Sequence, residues 1–179
     1  ITSSLSQGPA LALGVDAVTP LELAGAYAPF VNGGYRVEPH AVTSIRTGDG
    51  ESVYRREANL LGPAASPRSI AALNGMLRAV VTQGTGRAAA LSSYDAYGKT
   101  GTTQENRDAW FVGHAGGYVC AVWIGRDDNR PMGDITGGTA PALIWREVME
   151  RVLEVRPPKH PPILAPLTTG STESRRSSH

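Results

Sequence analysis

Tyr97-Gly98-Lys99-Thr100-Gly101-Thr102-Thr103, continuing through Gln104-Glu105-Asn106-Arg107 into Asp108-Ala109-Trp110-Phe111-Val112-Gly113-His114, is the stretch that decides the fold. It reads as two strands around a polar corner. The first strand supplies an ammonium, two hydroxyls and a residue without a side chain, as recognition of a carboxylate lying beside a backbone requires. On a strand, Lys99 and Gly101 share one face and Thr100 and Thr102 the other. A twist or bulge is then needed to turn both sets toward one ligand. A bare Lys-Thr-Gly also suits an ordinary hairpin edge with surface side chains. Of 17 basic residues, however, only Lys99 and Lys159 are lysine, so a chain that otherwise uses arginine keeps a compact point charge in this motif.

Downstream, Ala109–His114, a Gly116-Gly117 turn and Tyr118–Ile124 read as adjacent antiparallel strands. Gly137-Gly138-Thr139 leads into a helix containing Leu143, Ile144, Trp145, Val148, Met149 and Val152, bounded by Pro157. Upstream, Thr19-Pro20-Leu21-Glu22 has a cap, a first-turn proline and the closing glutamate of a capping box, predicting a packed helix to about Asn32 and Gly33-Gly34. Val37, Val42, Thr43 and Ile45 suggest a strand from Tyr35 to Thr47 interrupted near Pro39. Gly48-Asp49-Gly50 then turns it into Ser52-Val53-Tyr54. Ser66-Pro67 opens a further helix with Ile70, Leu73, Leu77 and Val80 as its apolar stripe, stopped at Gln83-Gly84. The expected fold class is α/β in the broad sense (α+β): a central antiparallel sheet flanked by helices, incomplete or exposed on one side.

Several other chemistries fail on context. Gly84-Thr85-Gly86-Arg87 follows a helix instead of preceding one, so it reads as a flexible bend and not as a phosphate loop. Arg126-Asp127-Asp128-Asn129-Arg130 lacks the glycine and distal glutamate of a calcium loop. The four histidines lack metal-ligand spacing, and His114 reads as a structural histidine. The single Cys120, within an apolar run, reads as a buried thiol. A net charge of +1 argues against nucleic acid as a main partner, and no run of about 18 apolar residues is present to span a membrane. The chain starts without Met, as a fragment or processed product would. Residues 156–179, rich in Pro, Ser and Thr, read as a disordered tail after a unit of residues 1–155.

Taken in order, Val18–Ala24 with Asn32-Gly33-Gly34, then Gly84–Arg87, Lys99–Thr103, Asp108–Gly113, and Trp123-Ile124-Gly125 with Asp127-Asp128-Asn129 resemble the C-terminal part of the transpeptidase domain of class A penicillin-binding proteins, the bifunctional peptidoglycan synthases. The resemblance implies a β-lactamase/transpeptidase-like fold and serine acyl transfer between peptidoglycan stem peptides, with β-lactams as mimics and no cofactor or metal. It assigns Lys99 and Thr102 to catalysis. Thr100, Gly101, Thr102 and Thr103 contact substrate, Thr103 more remotely, and the Thr102 backbone N–H forms half of an oxyanion hole. It further implies an upstream half-domain, a glycosyltransferase domain and a membrane anchor that places the protein on the periplasmic face. The departure is that neither lysine has a serine three residues before it, the positions being Ala96 and Arg156, and no asparagine has a serine two before it. The expectation is therefore a fragment without its nucleophile, inactive alone. Two other classes carry Lys-Thr-Gly. A serine β-lactamase lacks support because no deacylating glutamate can be placed; a non-catalytic sensor of the same fold would be separated by upstream sequence.

Overall fold

The computed structural model describes residues 1–57 and 61–158. Its centre is a three-stranded antiparallel sheet in the order β3-β4-β5, with β3 at Tyr97–Thr102, β4 at Asp108–Ala115 and β5 at Tyr118–Gly125. The hydrophobic alternation of the deciding stretch is the reason. Phe111, Ala109 and Ala115 point to one face, where helix α3 (Ala140–Val155) packs, and Trp110, Val112 and His114 point to the other. Gly116 and Gly117, with φ of 56° and 86°, make the β4–β5 turn that other residues resist.

The core beneath the sheet gathers Phe111, Trp145 and Met149, each at most 1% exposed, with Val81, Ala89 and Leu153. Burying each large side chain contributes roughly 2 kcal/mol. The indole N–H of Trp145 does not remain unpaired, because it donates to the Cys120 carbonyl at 3.1 Å. Cys120 itself is half-buried at the margin of this core, and burial raises its thiol pKa.

Helix α1 (Pro20–Tyr27) has the expected capping box: Thr19 Oγ1 accepts from the Glu22 N–H at 3.2 Å, and Glu22 accepts from the Thr19 N–H at 2.9 Å. Glu22 also accepts from Thr2 and Ser3, tying the first residues to the helix. These bonds, the Thr19 N–H first, lower its pKa. The α-helix ends at Tyr27, short of Asn32, and a 3₁₀ turn, Ala28–Phe30, follows. Pro29 has no N–H to continue the ladder and its ring crowds the carbonyl four residues back. None of α1 is fully buried, and Leu21 is exposed.

The expected strand from Tyr35 contracts to β1 (Ser44–Arg46), paired with β2 (Ser52–Arg55) in an exposed hairpin, while Tyr35 makes only an isolated bridge to Pro63. Pro39 interrupts the segment between, where no donor is available to extend a ladder. Helix α2 (Pro67–Thr82) starts at the Ser66 cap, but its inward stripe is Ile70, Asn74, Leu77 and Val81; Leu73 is exposed. In α3, Leu143, Ile144 and Val148 likewise face outward, the inward positions being Pro141, Ala142, Trp145, Met149 and Leu153. Helix α2 is rotated from the sequence expectation because the buried Asn74 holds an inward position that apolar counting skips. The expected tail lies outside the described residues apart from Arg156, Pro157 and Pro158.

Candidate active site

β3 is the edge strand of its sheet, and its burial changes along its length: Tyr97 and Gly98 are buried, whereas Lys99 to Thr102 are half-buried or exposed. The buried end is fixed from both faces. Tyr97 stacks on its cross-strand partner His114 with ring centres 4.7 Å apart and planes at 4°, and Phe30 also stacks on the imidazole, with ring centres 6.5 Å apart. His114 Nε2 lies 3.0 Å from Asn74 Oδ1, and the Asn74 amide donates to the Phe30 carbonyl at 2.9 Å. An amide oxygen only accepts, so Nε2 carries the proton. Burial pushes the His114 pKa down to about 4, and the ring is neutral at pH 7. The expected structural histidine is what the fold contains. Among the described residues no group of His, Cys, Asp or Glu is arranged to hold a metal ion.

The open end presents backbone as well as side chains. The N–H of Thr103 donates to the Asp108 carbonyl at 3.0 Å, and the β3–β4 register runs unbroken from Tyr97↔His114 to Thr102↔Ala109. Hydrogen-bonded and non-bonded pairs alternate in an antiparallel ladder, so Gly101 and Lys99 bond to β4 while Thr100 and Thr102 turn their N–H and C=O groups to the open edge. Lys99 follows them. Its side chain starts on the opposite face from the threonine hydroxyls but its ammonium donates to the Thr100 carbonyl at 2.7 Å. A long flexible side chain, and not a bulge, is therefore what carries the charge to the edge.

Two loops press on the hydroxyl face of β3. Thr102 Oγ1 accepts from the Gly137 N–H at 3.1 Å. A hydroxyl has one proton and two lone pairs, so this contact leaves the Thr102 proton to be donated elsewhere. Gly137 lies so close that a Cβ there would sit 2.2 Å from the Trp110 carbonyl and 2.6 Å from that of Gly101. The second loop is Gly84–Arg87, where Thr85 Oγ1 stands 2.6 Å from Thr100 Oγ1. This bend is not the flexible one expected. The N–H groups of Gly84 and Gly86 both donate to the Val80 carbonyl, and a Cβ on Gly86 would meet Val80 and Phe111 at 3.0 and 3.1 Å. Gly138 closes against the same bend, since its Cβ would lie 2.3 Å from the Thr85 carbonyl.

Sequence reasoning thus missed Thr85, Gly137 and Gly138 as neighbours of the motif. The signal for them was the two glycine clusters flanking a small polar residue or a helix start. Thr103, by contrast, is committed to the corner. Its hydroxyl accepts from the Asp108 N–H at 2.8 Å and donates to the Asp108 carboxylate, whose other oxygen accepts from Trp123 Nε1 at 2.9 Å. The Arg126–Arg130 turn is likewise internal: Arg126 grips the Asp128 carboxylate with two bonds of 2.7 and 2.8 Å and draws its pKa down to about 2.

The site is thus an antiparallel sheet packed with helices that carries an ammonium and two hydroxyls at its open edge. The model of the penicillin binding protein transpeptidase domain matches residues 2–150, and the chain belongs to that family. It is 40% identical over 159 residues to penicillin-binding protein 1A of Neisseria meningitidis, which covers 86% of this chain and 20% of that protein. The chain thus spans about a fifth of the length of the curated relatives it matches. Among solved structures it is similar to the D,D-transpeptidase domain of a peptidoglycan glycosyltransferase from Eggerthella lenta, with a TM-score of 0.67 and 30% identity over 78% of this chain and 33% of that one. It is also similar to penicillin-binding protein A from M. tuberculosis in its imipenem acyl-enzyme complex, with a TM-score of 0.64 and 28% identity, covering 78% of this chain and 32% of that one.

Proposed function

We propose that the chain is the C-terminal part of a serine-type D,D-transpeptidase that cross-links peptidoglycan stem peptides and is acylated by β-lactams. The observation that supports this most is the open edge of β3, where the outward N–H and C=O groups of Thr100 and Thr102 stand beside two hydroxyls and one ammonium. An extended acyl-D-alanyl-D-alanine chain pairs with such an edge as an added strand. Its terminal carboxylate then accepts from the Thr100 and Thr102 hydroxyls in the positive potential of Lys99. Gly101 leaves room on the strand for the substrate backbone, and Thr103 supports the corner behind it.

In this reading a serine supplied from outside these residues attacks the penultimate carbonyl. The tetrahedral oxyanion is held by the Thr102 N–H and by the N–H of that serine, the terminal D-alanine leaves with a proton, and an amine of a second stem peptide resolves the ester. In this reading residues 1–155 belong to the half-domain and residues 156–179 are not needed for acylation. The other half, a glycosyltransferase domain and an N-terminal membrane anchor belong to the same parent protein, on the periplasmic side. Among the described residues no helix is long and apolar enough to cross a membrane.

The test is a gel assay with a labelled penicillin. The 179 residues alone should take up no covalent label, since no serine here has a lysine three positions on. The serine-bearing parent should label stoichiometrically, and Lys99→Ala in it should slow acylation by about a hundredfold, the scale of losing a charged transition-state contact. Truncation from Pro157 should leave labelling unchanged. Stoichiometric labelling of the 179 residues, or a silent Lys99→Ala, would overturn the reading.

A further inference from the structure

We infer that Thr85 is a positioning residue for substrate carboxylate binding: its hydroxyl donates to Thr100 Oγ1 and so commits the Thr100 proton to the ligand. This rests on the reading of Thr100 as a carboxylate contact. The two oxygens are 2.6 Å apart, within the short range of O–H···O bonds, and one proton lies between them. When Thr100 is the donor its proton is spent inside the protein, and an anion at the open edge meets only lone pairs. When Thr85 is the donor, the order runs from Thr85 to Thr100 to the anion, each hydroxyl polarising the next. A carboxylate accepts and cannot donate, so it selects the second order. Thr102 is set in the same sense by different means, because the Gly137 N–H that it accepts can only donate.

The position of Thr85 is built and not incidental. Gly84 and Gly86 fold the bend onto Val80, and Gly138 crosses the Thr85 carbonyl at a distance no side chain allows. The bend follows the end of α2 and its side-chain bond to β3 is the one to Thr100, so in this inference Thr85 acts through Thr100 and the ligand meets Thr100.

The experiment measures second-order acylation of the serine-bearing parent protein by a penicillin with a free carboxylate and by its methyl ester. Thr85→Val should lower acylation by the free acid about tenfold, the worth of one hydrogen bond to a charged group's donor, and Thr85→Ser should restore it. With the methyl ester, Thr85→Val should match the unchanged protein, which also shows that the variant is folded. In a Thr100→Val background, adding Thr85→Val should have no effect, because the coupling is the whole of its role. A tenfold loss that persists without Thr100 would make Thr85 a direct ligand, an equal loss on the ester would make it structural, and no loss on the acid would leave it idle; each overturns the inference. If instead Thr100→Val is silent toward the acid while the unchanged protein acylates, the carboxylate role of Thr100 falls first and this inference with it.

Discussion

The two ends of β3 differ more than any two elements of the fold. At one end Tyr97 and Gly98 are sealed, one stacked on His114 and the other lying against the Phe111 ring; at the other end Lys99 to Thr102 are half-buried or exposed. Each end has a glycine, and the two do different work. A Cβ on Gly98 would sit 2.5 Å from Phe111 Cζ and 2.9 Å from the Val112 carbonyl, whereas one on Gly101 meets nothing nearer than Trp110 Cβ at 3.3 Å. The sealed end therefore anchors the strand by close packing. The open end keeps its polar atoms in fixed places because the anchored end and the Gly137 loop hold the backbone between them.

The first way to break this contrast is Gly98→Ala. The ring of Phe111 is fully buried against Trp145, with centres 5.2 Å apart, and has nowhere to move without opening the core. Overpacking of this kind should destabilise the folded protein by about 3 kcal/mol or more. Urea unfolding of the variant gives the value, and a loss under about 1 kcal/mol would mean that the sealed end is looser than its contacts indicate.

A second prediction uses pH on the same anchor. His114 has an ordinary pKa of about 6.5 when unfolded and about 4 in the fold, because burial disfavours its charged form. Between those values the unfolded chain binds the extra proton, so stability is full above pH 6.5 and falls as pH drops toward 4. From pH 7 to pH 5 the loss should be about 2 kcal/mol. Glu22, Asp49 and Asp128, whose pKa values are lowered in the fold, add little in that interval, because the unfolded chain protonates them mainly below about pH 4.5. His114→Gln should be less stable at pH 7 yet almost flat across the same range. An unfolding midpoint that shifts equally in both proteins would assign the effect to other groups.

The same division governs what was readable in the sequence. The adjacent antiparallel strands and the presence of the three helices follow from period and from the turn and cap signals, and Lys99-Thr100-Gly101-Thr102 stands out as a polar cluster in an apolar setting. The details that escaped are those where a long-range contact overrides local pattern. Asn74 looks like a surface residue on α2, and nothing within its own helix says that it bridges Phe30 and His114, which lie 44 and 40 positions away. Thr85 looks like part of a bend, since its partner Thr100 is reached only once α2 and β3 have packed together. The glycines of these loops were visible as letters, but the close backbone approaches that require them arise between segments distant in sequence. Pro29 and Pro39 were visible too, and they shortened the first helix and the first strand for the local reason that neither supplies an N–H.

The smallest expected effect on stability comes from Gly101→Ala. The backbone at Gly101 is in the ordinary extended region of a strand, where alanine loses less entropy than glycine by roughly 0.5 to 1 kcal/mol. Against that gain, the new methyl lies 3.3 Å from Trp110 Cβ, which must yield by a few tenths of an ångström. The two effects offset each other, and the unfolding free energy should change by less than about 1 kcal/mol. Acylation of the serine-bearing parent should nevertheless fall about tenfold, because the substrate backbone must approach a strand that now carries a side chain beside Lys99. Measured together, unfolding and acylation separate anchoring from ligand approach. A variant that loses both would place Gly101 with Gly98 in the packing of the strand, and one that loses neither would remove Gly101 from the proposed contacts and leave the edge to Lys99, Thr100 and Thr102.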